Sequence, residues 1–323
     1  MSDAQTWFDH NSFHHRDFAD LEELCALRDA QGLKISVVIP TLNEERTIAD
    51  VVRIVRTVLQ ERHPLVHELL VIDSGSTDQT RQRATEAGAK VHLASEILPE
   101  LGDHPGKGEN LWKALAVIEG DLVCFIDADI QNMHPRFVCG LIGPLLKHPE
   151  ISYIKGFYER PMSSGTRILP NEGGRITELL VRPLFSIFYP ELARFCQPLA
   201  GEYAARRELL EQLAFPNGYG VESAHLIDCL NLIGIDALAQ CDLDERIHRN
   251  RSLQDLSITS HEILQAILPR LERDGHCAQL GALAENLFRV ESTSGGYEIT
   301  EKQVKVVERP SMKSILSARP IVD

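Results

Sequence analysis

The sequence predicts an α/β protein built around a mostly parallel, doubly wound sheet with helices on both faces. Short apolar runs typical of strands buried on both faces alternate with stretches of helical periodicity. One such run leads straight into two carboxylates, Asp127 and Asp129, at the position where parallel strands present ligand groups. The predicted strands of the first half are residues 34–40, 68–72, 90–93 and 122–126.

The composition indicates a globular chain and argues against several classes of partner. The 323 residues are 43% apolar and 25% charged, and the net charge of −14 does not suit a nucleic-acid partner. No apolar run approaches the roughly 18 residues of a membrane span, and residues 1–20 lack the apolar core of a signal peptide. Seven scattered cysteines without Cys-x-x-Cys spacing indicate reduced thiols. We therefore expect a cytoplasmic protein with no membrane partner.

The first 33 residues are interpreted as an arm that packs on the domain or on a second subunit. They contain His10, His14 and His15, which we interpret as surface histidines, and a short amphipathic segment over residues 18–28. The arm leads into the first predicted strand, residues 34–40.

A strand, a tight turn and a helix start form a corner that commonly faces a nucleotide. The first strand is followed by such a turn and by a predicted helix over residues 46–62. In the turn, Glu44 or Glu45 either favours the helix dipole or reaches a base or ribose, and the sequence leaves both readings open.

The second predicted strand ends in an Asp-Ser-Gly-Ser-Thr-Asp stretch, residues 73–78. Ser76 or Thr77 is predicted to cap the helix 78–87. Asp73 and Ser74 are then expected to point toward the nucleotide. The strand 90–93 completes a βαβαβ half.

The turn Gly106-Lys107-Gly108 opens a predicted helix over residues 109–118, where free amides favour an anion. Its spacing is not that of a Walker loop. Lys107 is a candidate for a ribose or phosphate contact, and the alternative is a solvated loop lysine. After the next strand, Asp127 and Asp129 suit a hard divalent cation such as Mg2+ or Mn2+. The alternative there is a solvated carboxylate pair in a turn.

The second half is less regular. Residues 151–160 are predicted as a strand and residues 163–174 as a polar loop, followed by a helix to residue 189. At that helix start, amides, the helix dipole and the guanidinium of Arg175 converge as a phosphate cradle. The alternative is a helix cap beside a surface arginine.

The remaining elements are a strand after the loop 197–202, helices at 222–233 and 253–273, and a last strand at 236–242. Glu222 falls in the first turn of its helix. The tail, residues 297–323, is expected to pack across the domain or a partner.

Residues 246–251 hold three arginines, a histidine and an asparagine in an otherwise acidic chain. A solvated basic turn is one interpretation. A phosphate and metal corner is the other, because histidine can complete a site begun by aspartate and arginine binds phosphate.

Two sets of motifs resemble known glycosyltransferases. The segments 39–45, 73–78, 105–109 and 125–129 resemble the donor half of GT-A glycosyltransferases. The segments 174–178, 182–184, 197–205, 218–222 and 248–250 are similar to the glucosyl-3-phosphoglycerate and mannosyl-3-phosphoglycerate synthases. The similarity spans residues 34–260, and residues 309–313 of the tail share it.

The resemblance implies a GT-A fold and a retaining, metal-dependent hexosyltransferase. The family moves a mannosyl or glucosyl group from a nucleotide-sugar, GDP-mannose or UDP- or GDP-glucose, to the 2-hydroxyl of 3-phosphoglycerate. The expected organisation is an arm (1–33), a nucleotide-sugar-binding half (34–150), an acceptor-binding half (151–296) and a tail (297–323). A Mg2+ or Mn2+ cofactor and a homodimer are further expectations.

The resemblance also implies roles for individual residues. The donor would be held by Pro40, Thr41, Leu42, Glu44, Ser74, Lys107, Asp127, Ala128, Leu199, Tyr219 and Glu222. The acceptor would be held by Gly174, Arg175, Thr177 and Asn250. The metal ligands would be Asp129 and His248. The catalytic set would be Asp127, Asp129, Glu222 and Arg246.

Two other functions are compatible with the predicted sheet and carboxylates. A sugar-1-phosphate nucleotidyltransferase would not need the Arg175 cradle and would release pyrophosphate. A non-catalytic nucleotide-sugar sensor would bind the donor without releasing a nucleoside diphosphate.

Overall fold

The computed structural model describes residues 3–159, 162–164, 167–169, 174–247, 252–293 and 296–318. The strands are β1 (Ser12–His14), β2 (Ile35–Thr41), β3 (Glu68–Asp73), β4 (Lys90–Leu93), β5 (Leu122–Phe125), β6 (Tyr153–Glu159), β7 (Met162–Ser164), β8 (Arg167–Leu169), β9 (Tyr203–Arg206), β10 (Phe215–Pro216), β11 (Leu238–Glu245), β12 (Asn286–Thr293), β13 (Gly296–Gln303) and β14 (Glu308–Arg309).

The helices surround these strands, and two of them adjoin π-helical segments. They are α1 (Asp3–Asn11), α2 (Leu21–Gln31), α3 (Ile48–Ile54), α4 (Thr80–Ala87), α5 (Lys107–Ala114), α6 (Arg136–Lys147), α7 (Arg182–Phe188), α8 (Arg207–Leu210), α9 (Val221–Ile233), α10 (Leu253–Arg273) and α11 (Met312–Ala318). A π-helical segment, Val55–Arg62, continues α3, and another, Thr177–Val181, precedes α7.

The core is one eight-stranded sheet in the order β1-β11-β6-β9-β5-β2-β3-β4. β9 runs antiparallel to its neighbours β5 and β6, and the other pairs are parallel. The prediction of a mostly parallel sheet with flanking helices is confirmed. The sheet contains strands from both sides of residue 150, so the division into donor and acceptor halves stays a prediction.

The sheet is buried on both faces, as the continuous apolar runs predicted. All seven residues of β2 are buried. Val37 and Ile39 pack into one apolar cluster with α3 and α6, whereas Val38 packs into a second cluster with α5 and α9. Because strands β2, β3 and β5 are parallel, their carboxyl ends meet at one edge of the sheet.

The N-terminal arm packs on the domain. β1 pairs in parallel with β11, and the indole of Trp7 donates a hydrogen bond to Ile235 O at 2.9 Å. His10 is exposed, but His14 and His15 are half-buried and face Asp244. No described helix combines the length and apolar character needed to cross a bilayer. All seven cysteines are free.

The predicted cap of α4 is wrong. Neither Ser76 nor Thr77 caps the helix; the Asp78 carboxylate accepts from the Thr80 amide at 3.0 Å. The reason lies in Asp73, whose buried carboxylate accepts from the amide and hydroxyl of Ser76. The loop therefore turns around Asp73, which points into the protein and does not face the cavity described below.

Two further sequence predictions need correction. Part of the predicted polar loop 163–174 forms the small antiparallel pair β7–β8, while residues 165–166 and 170–173 lie outside the described residues. β11 is not the last strand, because β12 and β13 form an antiparallel hairpin and β14 pairs with β10. The tail thus contributes strands. The predicted helix 253–273 matches α10.

Candidate active site

A cavity of about 230 Å³ opens at the carboxyl ends of β2, β3 and β5. Its lining includes every predicted donor-binding residue except Leu199 and Glu222. The lining residues are Pro40, Thr41, Leu42, Glu44, Ser74, Gly106, Lys107, Asn110, Asp127, Ala128, Asp129 and Tyr219.

The turns after β2 and β3 are tied to each other, which shapes the first wall of the cavity. The backbone N–H of Asn43 donates to Ser76 Oγ and the backbone N–H of Glu44 donates to Thr80 Oγ1, both at 2.8 Å. Glu44 lines the cavity, whereas the Glu45 carboxylate accepts from the Gln79 amide at 3.2 Å. Glu44 faces the cavity and Glu45 contacts the start of α4, which is not the helix that follows this turn, so a contact of Glu44 with a base or ribose stays a prediction.

Lys107 forms the second wall and is ion-paired. Its Nζ lies 2.6 Å from Asp127 Oδ1 and 2.9 Å from Glu222 Oε1, and its side chain is 11% exposed. The solvated-lysine interpretation is therefore wrong. Burial alone would lower the pKa of Lys107, but the carboxylates of Asp127 and Glu222 outweigh it and raise that pKa well above its usual range. Lys107 is a fixed ammonium at neutral pH.

Arg246 joins the two aspartates that follow β5. Its Nη2 donates to Asp127 Oδ2 at 3.0 Å and to Asp129 Oδ1 at 2.6 Å. Its Nε lies 3.0 Å from Glu202 Oε1. Burial would lower the pKa of Arg246, but these carboxylates raise it well above its usual range. Arg246 is buried, so the solvated-turn interpretation fails for it. Residues 248–251 of the same predicted cluster lie outside the described residues.

Sequence reasoning missed the acidic group beneath Arg246. Glu202 is fully buried directly before β9, and its carboxylate accepts a hydrogen bond from the Tyr158 hydroxyl at 2.6 Å. Burial raises the pKa of Glu202, and the neighbouring Arg246 opposes that shift. A glutamate between a glycine and an apolar strand was the available signal. Glu202 compensates the positive charge of Arg246 at Nε, whereas the aspartates contact Nη2.

A second missed residue is Lys155, which is fully buried in β6. Its ammonium donates to Ala200 O and lies 4.9 Å from the centre of the Tyr203 ring. Burial lowers the pKa of Lys155 to about 7. Lys155 supports the loop that carries Leu199 and Glu202. The sequence of the strand gives no alternating polar pattern from which its buried position could be predicted.

A third missed residue is Asn110, which lines the cavity. Its amide donates to Ile72 O at 3.0 Å, and its Oδ1 accepts from the Ser74 hydroxyl at 2.9 Å. Asn110 thus fixes the predicted donor residue Ser74. Its signal was its place in the Pro-Gly-Lys-Gly-Glu-Asn stretch.

The predicted acceptor cradle is partly described. Gly174 has a left-handed backbone with φ of 84°, and its carbonyl accepts from the Glu178 amide at 3.0 Å. Arg175 is half-buried and Thr177 is buried at the start of the π-helical segment. π-Helical turns often occur at functional sites. Gly173 and Asn250 lie outside the described residues, and the phosphate cradle as a whole stays a prediction.

The oxygen atoms of the described carboxylates at Asp127 and Asp129 suit a hard cation as ligands. The guanidinium of Arg246 already bridges Asp127 and Asp129, which shows that their combined field attracts positive charge. Asp129 Oδ2 has no partner among the described residues and remains available as an oxygen ligand. His248 lies outside the described residues. In the part of the chain that the structure describes, a group of three metal-ligating side chains occurs only at His14, His15 and Asp244.

Comparison with known proteins gives the family. The model of glycosyl transferase family 2 matches residues 36–212, more than half of the 323 residues. The chain belongs to glycosyltransferase family 2. The matched segment runs from β2 to α8 and contains the cavity residues up to Asp129.

Individual relatives show which members of the family this chain is similar to. The chain is 47% identical to the glucosyl-3-phosphoglycerate synthase of Petrotoga mobilis over 304 residues, which is 94% of each protein. It is 46% identical to that of Mycobacterium tuberculosis over 259 residues, covering 79% of this chain and 78% of the relative. The predicted resemblance to the phosphoglycerate hexosyl synthases is confirmed, and so is the prediction of a glycosyltransferase.

Solved structures agree with the fold. Mannosyl-3-phosphoglycerate synthase from Rubrobacter xylanophilus has a TM-score of 0.88 and 38% identity, covering 97% of this chain and 98% of that one. The M. tuberculosis glucosyl-3-phosphoglycerate synthase, in complex with Mn2+, UDP and glucosyl-3-phosphoglycerate, has a TM-score of 0.81 and 42% identity, covering 94% and 99%. Another structure of the M. tuberculosis enzyme holds Mg2+ and UDP. The predicted GT-A fold is confirmed.

Proposed function

We propose that this chain transfers the glucosyl group of UDP-glucose to the 2-hydroxyl of 3-phosphoglycerate and retains the anomeric configuration. The relatives of Petrotoga and Mycobacterium, both glucosyl-3-phosphoglycerate synthases, support the acceptor and the glucosyl donor. The M. tuberculosis structure with Mn2+, UDP-glucose and phosphoglyceric acid supports UDP as the carrier. GDP-mannose is the alternative donor, because the Rubrobacter structure is a mannosyl enzyme.

One observation carries the proposal: a row of alternating charges runs through three residues that line the cavity, with Arg246 between the two aspartates. Lys107, Asp127, Arg246 and Asp129 follow one another with contacts of 2.6–3.0 Å. We propose that Asp129, with His248, holds a Mg2+ or Mn2+ ion. The ion would supply the positive charge that stabilises the diphosphate leaving group.

In this proposal the first half of the sheet binds the nucleoside. Pro40, Thr41, Leu42 and Glu44 line one wall, and Leu42 is 53% exposed at the rim, where an apolar side chain can cover a base. Ser74 is oriented by Asn110. Because Lys107 is held by two carboxylates, its ammonium is preorganised for a phosphate or ribose oxygen and needs no reorganisation when the donor binds.

Retention in this proposal follows a front-face route. Glu222 is ion-paired with Lys107 and its side chain is 5% exposed, so it orients the lysine and would not act as a free nucleophile. The departing phosphate oxygen would then accept the proton of the acceptor hydroxyl on the same face of the sugar. Positioning by Tyr219, Leu199 and Arg246 would supply most of the rate.

The acceptor would bind at the helix start that carries Gly174, Arg175 and Thr177, together with Asn250. Free amides and a guanidinium at one helix start suit a phosphate with two negative charges. The left-handed Gly174 turns the chain into that helix start.

A single assay tests the proposal against its rivals. The protein is incubated with Mn2+, 3-phosphoglycerate and either UDP-glucose, GDP-glucose or GDP-mannose, and the products are identified by mass spectrometry and NMR. The proposal expects α-linked glucosyl-3-phosphoglycerate and UDP. Release of pyrophosphate from UTP and glucose 1-phosphate in a parallel incubation would indicate a nucleotidyltransferase, and binding of the nucleotide-sugar without any product in either incubation would indicate a sensor. A β-linked product would refute retention.

We also infer a homodimer, formed through the β12–β13 hairpin. A two-stranded hairpin is marginally stable in water by itself. Its exposed face carries Phe288, Val290 and Ile299, of which Val290 and Ile299 are directly paired. A second copy of the chain would cover this face. Light scattering should give about twice 36.2 kDa, and Val290→Lys should lower that mass. A mass of 36.2 kDa for the wild type at micromolar concentration would refute the dimer.

A further inference from the structure

The C-terminal segment 304–310, here called the tail strap, is bonded to residues that lead into the donor cavity. The backbone N–H of Val307 donates to the side-chain Oδ1 of Asn217 at 2.8 Å, and Val307 O accepts from the backbone N–H of Asn217 at 2.9 Å. β14 of the strap pairs antiparallel with β10. Asn217 lies two residues before Tyr219 of the cavity. The strap lies far beyond residue 212, where the family match ends.

Arg309 connects the strap to the start of α5, the helix that begins at Lys107. Its Nε and Nη2 donate to the two carboxylate oxygens of Glu109 at 2.7 and 2.6 Å. Its Nη1 and Nη2 also donate to Leu101 O and Gly102 O at 2.8 and 3.1 Å. The guanidinium is buried over the Trp112 ring. A forked pair of this kind fixes direction as well as distance. Arg309 therefore holds the first turn of α5 and the loop before it.

The turn that carries Lys107 contacts Asn217, which also pairs with the strap. Asn217 Nδ2 donates to Pro105 O at 2.9 Å, and Asn217 O accepts from the Glu109 amide at 3.2 Å. A Cβ on Gly106 or Gly108 would collide with the backbone of residues 216–217. Both glycines flank Lys107, so the position of its ammonium depends on this contact.

We propose that the tail strap is a positioning element of the donor site, with Arg309 as its positioning residue. It holds the Lys107 turn and the segment leading to Tyr219 in the arrangement that receives the nucleoside diphosphate. The inference rests on the proposed function, since it takes a nucleotide-sugar as the occupant of the cavity. Coupling of this kind is reciprocal. A displaced strap weakens nucleotide binding, and a bound nucleotide stabilises the strap.

The first test compares two arginine variants. Arg309→Lys keeps the charge but loses the forked contact with Glu109. The Kd for UDP with Mn2+, measured by calorimetry, should rise by about tenfold or more, as should KM for the donor. The kcat at saturating donor and the KM for 3-phosphoglycerate should stay within about twofold of the wild-type values. A general loss of structure would instead change both of these constants.

The matched control is Arg207→Lys. Arg207 also bridges a glutamate and a carbonyl, with 2.6 Å to Glu211 and 2.9 Å to Ile118 O, but it lies beside the amino end of β5. Its replacement should lower Tm without changing the UDP affinity. An equal loss of UDP affinity in both variants would show that Arg309 acts only through overall stability and would overturn the proposal.

The second test uses the unaltered protein. Hydrogen exchange is followed with and without UDP and Mn2+, and peptides covering residues 304–310 should exchange about tenfold more slowly with nucleotide. If hydrogen exchange in the strap is unchanged while peptides of the turn after β2 become protected, the positioning role of the strap is overturned and the proposed donor is not. A wild-type protein that binds no UDP overturns the proposed UDP-sugar donor as well. If Arg309→Lys does not fold, this measurement decides.

Discussion

Replacing Lys107 by methionine removes the cation that holds two cavity carboxylates together. The methionine side chain nearly fills the same volume, so the change isolates the charge. Asp127 and Glu222, which lie 2.6 and 2.9 Å from Nζ, would then face each other without a shared partner. Glu222 is the more buried of the two, with a side-chain exposure of 5%.

The magnitude follows from these contacts. Breaking a buried ion pair by removing one partner costs about 3–5 kcal/mol. With an unfolding entropy of about 2.1 cal/mol/K per residue, this corresponds to a Tm lower by roughly 4–7 °C for a chain of this length. Loss of a charged hydrogen bond to the donor, about 1.5–3 kcal/mol, should raise the Kd for UDP with Mn2+ by roughly 10- to 100-fold.

Calorimetric titration with UDP and a thermal melt measure the two effects separately. Lys113→Met is the matched control, because Lys113 is also buried on α5 and ion-paired with Asp103 at 2.7 Å and Glu109 at 3.4 Å, outside the cavity lining. It should lower Tm by a similar amount with a much smaller change in UDP affinity. A Lys107→Met variant that binds UDP within about threefold of the wild type would refute the donor role.

Three further predictions concern the metal, the acceptor and pH. Asp129→Ala should abolish the Mn2+-dependent turnover and lower Tm less than Lys107→Met does, since Asp129 is partly exposed and Arg246 keeps its contacts with Asp127 and Glu202; normal turnover at low Mn2+ would contradict this. Arg175→Ala should raise KM for 3-phosphoglycerate by roughly 10- to 100-fold, and Arg175→Lys should recover only part of the loss, while UDP affinity stays constant. An equal loss for both ligands would contradict the acceptor role. Burial lowers the pKa of Lys155 from 10.5 to about 7, so between these values the unfolded chain binds more protons and this group adds stability as pH rises. Lys155→Met should therefore be more stable than the wild type at pH 6, and this difference in the free energy of unfolding should shrink by about 1.4 kcal/mol per pH unit between pH 7 and pH 9; a difference independent of pH would count against it.

Several features of the donor side could be predicted from local sequence. Apolar runs of strand length require burial on both faces, so β2, β3 and β4 were found nearly at their observed bounds. The carboxylates Asp127 and Asp129 follow such a run, and the end of a parallel strand is an edge of the sheet wherever the strand lies in it. The predicted donor residues in the turns after these strands therefore reach one cavity.

Local sequence could not give the order of the strands or the partners of buried charges. β9 inserts antiparallel between β5 and β6, which brings Glu202 beneath Arg246. The sequence showed Arg246 as part of a basic turn, because its charge compensation comes from residues distant in the chain. The hairpin β12–β13 and the strap were missed for a similar reason: their positions depend on contacts with α10 and β10.

The sequence by itself determined which chemical groups stand at strand ends and helix starts, since strand and helix periodicity and turn residues act over a few neighbouring positions. The tertiary structure alone decided which of these groups face each other. It paired Lys107 with Glu222, Arg246 with Asp127 and Asp129, and Arg309 with Glu109. The physical reason is that a buried charge requires a compensating partner at contact distance, and packing of the sheet and helices brings that partner from elsewhere in the chain.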